Sequence, residues 1–66
     1  MLPHQERVVQ EKKELDEKAS KLSEFISKNP QFLLVSEKEQ ELMREQNEVM
    51  WQYSEILGHR IALFNQ

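Results

Sequence analysis

"KNPQFLLVSEKE", residues 28–39, decides the fold, because it holds a helix stop and a helix start within one short segment. Asn29 ahead of Pro30 ends a helix: proline drives the preceding residue out of the helical region, and Asn tolerates a terminal cap. Further on, Ser36 stands three residues before Glu39. That is the spacing of a capping box, in which each side chain satisfies a free backbone donor at a helix entry. Between the two signals, "QFLLV" reads as an apolar hinge packing back on the helix ends, with a short helical turn as the alternative. A lone strand there would have nothing to pair with.

Working upstream, Pro3 suits a first helical turn, where its missing N–H costs nothing, and a periodic run follows through Val8, Val9, Leu15, Ala19, Leu22, Phe25 and Ile26. Downstream, Leu42, Met43, Val49, Met50, Tyr53, Ile56, Leu57, Ile61 and Phe64 recur at helical spacing. The expected organisation is one domain over residues 1–66, with helix one at about 3–28, a hinge at 29–36 and helix two at about 37–64. At about 1.5 Å per residue both helices approach 40 Å, so the hinge most simply folds them into an all-α antiparallel hairpin. Two helices cannot surround a core. Helix two nevertheless carries one seven-residue stripe of Leu42, Val49, Ile56 and Leu63 beside another of Met43, Met50, Leu57 and Phe64, a wider apolar face than one partner helix needs. The surplus predicts another copy of the chain: a homo-oligomeric helical bundle, first as a symmetric dimer making a four-helix bundle, then as a higher assembly of hairpins.

Composition narrows the classes further. A core from 66 residues supplies only about 3–5 kcal/mol unless it is stapled or oligomeric, and with no Cys there is no disulfide and no thiolate metal site. His4 and His59 fall on different helices without metal-binding spacing, so no metal and no cofactor is expected. The longest apolar runs, "FLLV" and "IALF", are four residues, against the roughly 18–20 that span a bilayer, and "MLPHQERVV" lacks the pattern of a secretion signal. No membrane partner is expected, and cytosolic residence is the default. Residues 1–33 balance six Lys/Arg against six Asp/Glu, while 34–66 hold three against six, for a net charge of −3. That balance argues against general nucleic-acid binding, which needs cations to displace phosphate counterions.

Helix one poses the functional question. In "PHQERVVQEKKELDEK", residues 3–18, the would-be inner seam places His4, Glu11 and Lys18 where a hairpin wants leucine. Pairing Phe25 with Leu42 and walking back turn by turn sets Leu15 near Tyr53, Arg7 near Arg60 and His4 near Leu63 and Phe64. The open end of the hairpin then gathers His4, Arg7, His59 and Arg60, with Glu11 the nearest inward acid and Lys12 close by. The plainer reading is a set of surface ion pairs, Arg7 with Glu11 and Glu14 with Lys18, worth about 0.2–0.5 kcal/mol each, with His4 in a frayed first turn and His59 in solvent. Against it, an arginine fork suits phosphate oxygens and Tyr53 or Trp51 offers a stacking face, so the cluster could hold a small anionic ligand. Gly58, the only glycine, sits inside helix two, where a close helix crossing or a ligand approach would explain it. Trp51 lies off the main stripe, as an interface anchor or an oligomer contact.

The segments "HQERVV", "EKKELDEK" and "YSEILGHRI" carry a resemblance over almost the whole chain to a family of small tailed-phage and prophage proteins labelled as related to a gene product of a crAss-like gut phage. The resemblance implies a phage accessory protein acting in the cytoplasm of an infected or lysogenic bacterial host, and it brings no established reaction. The same segments contain His4, Arg7, Glu11, Tyr53 and Arg60, which motivates an anti-defence reading. In it, a non-catalytic oligomer sequesters a nucleotide-type immune signal, with Arg7 and Arg60 on phosphates, Tyr53 stacked on a base, and His4 and Glu11 on polar edges. The alternative is a helical interaction module that docks on a host or phage protein, inhibiting or scaffolding it. An enzyme comes third: His4 or His59 beside Glu11 would be its base, but no nucleophile–base motif accompanies them.

Overall fold

The computed structural model describes residues 1–65 and forms two long helices folded against each other, a rod of 47 × 15 × 15 Å. Helix α1 spans Pro3–Lys28 and α2 spans Glu37–Ala62, with short 3-10 turns at Pro30–Leu34 and Leu63–Asn65. The chain is an antiparallel helical hairpin without strands among the described residues.

Each helix end follows from its local sequence. At the entry to α1, Pro3 takes the first helical position, and the Leu2 carbonyl accepts from the amides of Gln5 and Glu6 at 2.9 and 3.0 Å. The Gln5 side chain returns the bond, its Oε1 accepting from the Leu2 N–H at 2.9 Å. At the exit, Asn29 is extended (φ −91°, ψ 118°), as a residue before proline must be, and its side chain accepts from the Gln31 N–H at 2.9 Å. The hinge takes the helical-turn form. Phe32 turns inward to 2% exposure, meeting Phe25 edge-on at 6.0 Å with the Arg44 guanidinium 5.1 Å from its ring centre. Leu33 and Leu34 point outward, 75% and 85% exposed. Gln40 fastens the hinge to α2, its amide donating to the carbonyls of Phe32 (3.1 Å) and Val35 (2.9 Å), and Ser36 caps α2 by accepting from the Glu39 N–H at 3.3 Å.

The contact between helices is a coiled-coil seam with alternating steps of three and four residues. On α1 it runs through Val8, Lys12, Leu15, Ala19, Leu22 and Ile26, and on α2 through Met43, Asn47, Met50, Ser54, Leu57 and Ile61, continuing to Phe64 in the turn that follows, all buried or half-buried. Ala19 and Leu57 are sealed completely. This corrects the expected inner seam: His4, Glu11 and Lys18 are exposed, and Lys12 and Ala19 take their place one residue along. A shift of one residue turns the helix by about 100°, and it replaces His4, Glu11 and Lys18 with Gln5, Ala19 and a single lysine that finds partners. The cross-helix pairing moves with it. In place of the expected pairing of Leu15 with Tyr53, Ser54 and Leu57 face α1, and Tyr53 is exposed. Of the two stripes on α2, the one through Met43, Met50, Leu57 and Phe64 packs inward, while Leu42, Val49, Ile56 and Leu63 remain 55–61% exposed.

Candidate functional site

Two polar networks lie within the seam. In the first, Lys12 reaches across from α1, its Nζ donating to Ser54 Oγ (2.8 Å) and to Asp16 Oδ2 (2.9 Å), while the Ser54 hydroxyl donates to Asp16 Oδ1. Ser54 is 4% exposed, whereas the side chains of Lys12 and Asp16 keep about a third of their surface in water, so the ion pair is half solvated. The Ser54 hydroxyl first, and the Lys12 ammonium second, hold the Asp16 carboxyl below its ordinary value, against a smaller opposing push from burial. In the second network, Asn47 donates to the Ala19 carbonyl (2.9 Å) and accepts from the Ser23 hydroxyl (2.8 Å), which in turn accepts from Trp51 Nε1 (3.2 Å). Trp51 is thereby tied to its own hairpin along one edge, although 40% exposed.

These networks mark one flank of the seam, with Asp16 and Ser23 on α1 facing Trp51 and Gly58 on α2. Gly58 is not required by a close crossing. A Cβ built there would meet the Lys12 Cε at 3.5 Å, an ordinary contact, and its φ is not positive. A shallow recess of about 580 Å³ opens on this side, bounded by Val9, Lys12, Asp16, Ser20 and Ile61 among others, and none of the five expected ligand residues lines it.

The opposite flank carries His4, Glu11 and Lys18 on α1, seven residues apart, and Gln46, Tyr53 and Arg60 on α2 at the same interval. Arg7 lies one step further round α1 on that side. His4, Arg7, Glu11, Tyr53 and Arg60 are all exposed, and among the described residues no hydrogen bond or ion pair joins any two of them. They share a flank, not an interior pocket. The expected pairs Arg7 with Glu11 and Glu14 with Lys18 are not formed; the intrahelical pairs are Lys12–Asp16, Glu24–Lys28 and Glu55–His59, the last two at 4.0 Å. His59 is 77% exposed. No three His, Cys, Asp or Glu side chains among the described residues gather as a metal site, and no helix is long and apolar enough to cross a membrane.

Sequence reasoning named Lys12 only as a neighbour and missed Asp16, Ser54, Ser23 and Asn47. A strict three-four count from Val8 and from Met43 would have found the interior ones, because it lands on Lys12, Asn47 and Ser54. What these features define is a two-helix coiled-coil hairpin that pins its register with polar bonds and presents a charged, aromatic-bearing flank to solvent. The chain belongs to the Sequestin family, whose profile matches residues 2–63, and that family name denotes a sequestering binder. No curated protein and no solved structure matches it.

Proposed function

We propose that this protein is a phage-encoded, non-catalytic binder that removes a nucleotide-type signal of bacterial immunity from solution, working in the cytoplasm of the infected or lysogenic host as a homo-oligomer. Membership of a family named for sequestration carries the reading, and the unsatisfied flank supports it. Among the described residues no carboxylate bonds Arg7 or Arg60, so their forks are available to phosphate oxygens. Tyr53, 42% exposed, supplies a face on which a base stacks, and His4 and Glu11 supply a donor and an acceptor for its edges. Holding a signal requires no bond to be broken. The phage origin rests on the resemblance of the "HQERVV" and "YSEILGHRI" segments.

Titration calorimetry against a panel of linear and cyclic nucleotides tests this. Wild type binds a member of the panel and returns it chemically unchanged after long incubation, whereas Arg7→Ala and Arg60→Ala keep their helicity and lose binding. Failure of every phosphate-bearing ligand to bind would sink the reading. In that event the exposed Leu33 and Leu34 at the hinge favour the second one, a module that docks on a host or phage protein, and a pull-down from infected cells becomes its assay.

A further inference from the structure

Helix α2 carries two seams, and the hairpin uses one. The other runs through Leu42, Gln46, Val49, Tyr53, Ile56, Arg60 and Leu63, again in alternating steps of four and three, and spans about 31 Å of helix. Every one of these side chains is exposed, the four aliphatic ones by more than half. We propose that this outward seam docks on the same seam of a second copy, antiparallel and two-fold symmetric about Tyr53, so that both copies contribute Tyr53 and Arg60 to one shared ligand site.

The residue order selects this arrangement. Reversed layer by layer, with Tyr53 the middle of its seven positions, the seam sets Leu42 against Leu63 of the second copy and Val49 against its Ile56, apolar on apolar at both layers. Gln46 falls opposite the second copy's Arg60, and the adjoining Glu45 faces that Arg60 too, joining opposite charges. A parallel alignment would instead stack Arg60 on Arg60 and Glu45 on Glu45, which like-charge repulsion disfavours. Among the described residues no other long face offers a comparable surface: Gln10, Glu14, Glu17, Lys21 and Glu24 make the back of α1 polar throughout. An isologous contact of this kind places Tyr53 on the axis and an Arg60 on either side of it. The shared site rests on the function proposed above, whereas the docking itself does not, and the two are tested separately.

The chain has no Cys, so single cysteines report the contact without background. Tyr53→Cys is expected to give a covalent dimer with a short bis-maleimide, while Trp51→Cys, on the other flank, is not. Leu42→Cys and Leu63→Cys chains are expected to cross-link when mixed and not alone. Ile56→Lys, at a position 57% exposed in the single hairpin, is expected to keep its helical circular dichroism and weaken dimerisation about 100-fold or more. Wild type that sediments as a monomer at high micromolar concentration would overturn the docking, as would Leu42→Cys cross-linking to itself. If wild type binds a nucleotide and Ile56→Lys binds it equally well as a monomer, the shared site is overturned. A correctly cross-linked dimer that takes up no nucleotide supports the docking and sinks the sequestration reading instead.

Discussion

Replacing Asp16 by Asn keeps the shape of the seam and removes one charge from its centre. The amide oxygen of the substituted side chain still accepts from the Ser54 hydroxyl, but as a neutral acceptor, and Lys12 loses its counter-ion while remaining 31% exposed. An exposed ion pair is worth about 0.2–1 kcal/mol and breaking a buried one costs about 3–5 kcal/mol, so this half-solvated pair belongs near the lower range. Weakening the hydrogen bond from a charged to a neutral acceptor adds up to about 1 kcal/mol, for a total of about 1–2 kcal/mol. In a domain of this size each kcal/mol moves Tm by about 4–8 °C, so Asp16→Asn is expected to melt about 5–15 °C below wild type at pH 7. The pH dependence follows from the depressed carboxyl. A group whose folded value lies below its unfolded one contributes stability that is present above the unfolded value, about 4, and is lost as pH falls through the folded value. The gap between the two proteins should therefore narrow steadily as pH is lowered from about 5 to about 2, melted at equal chain concentration because association also raises Tm. A gap that is absent at pH 7, or that persists undiminished at pH 2, would refute the account of Asp16.

Three other perturbations separate the parts of the structure. Gly58→Ala is expected to stabilise the hairpin by about 0.5–1 kcal/mol in chemical denaturation, because helix propensity improves and the new methyl meets only ordinary contact; a loss would mean that this flank tolerates no Cβ. Phe32→Ala empties the contact between Phe25, Arg44 and the hinge and should cost about 3 kcal/mol or more, read as a large drop in Tm with loss of the helical signal near body temperature. Arg60→Ala, exposed and without an ion pair among the described residues of its own hairpin, should keep its helical circular dichroism and a Tm within a few degrees of wild type, so that loss of nucleotide binding by a variant that still sediments as a dimer reports on the ligand and not on folding or docking.

Local signals placed the two helices and their antiparallel return. Proline restricts its predecessor, Ser36 supplies a cap, and apolar residues recur at helical spacing; each acts within a few residues, so each is legible in the linear chain. The candidate flank was partly legible for the same reason, since His4 and Glu11, like Tyr53 and Arg60, stand seven apart and share a side wherever the helices turn. Which side faces inward was not legible. Leu15 and Leu22 serve a seam with His4, Glu11 and Lys18 or one with Lys12, Ala19 and Ile26 equally well, and the choice depends on α2. Only when Ser54 and Asp16 receive the Lys12 ammonium, and Ala19 lets α2 approach closely enough for Asn47 to reach its carbonyl, does the second phase win. Those cross-helix bonds join residues 28 to 42 positions apart, and a buried polar group is stable only with its partner in place. Periodicity in the sequence therefore determined that there would be a seam, and tertiary pairing decided its phase, leaving Tyr53 and Arg60 facing outward.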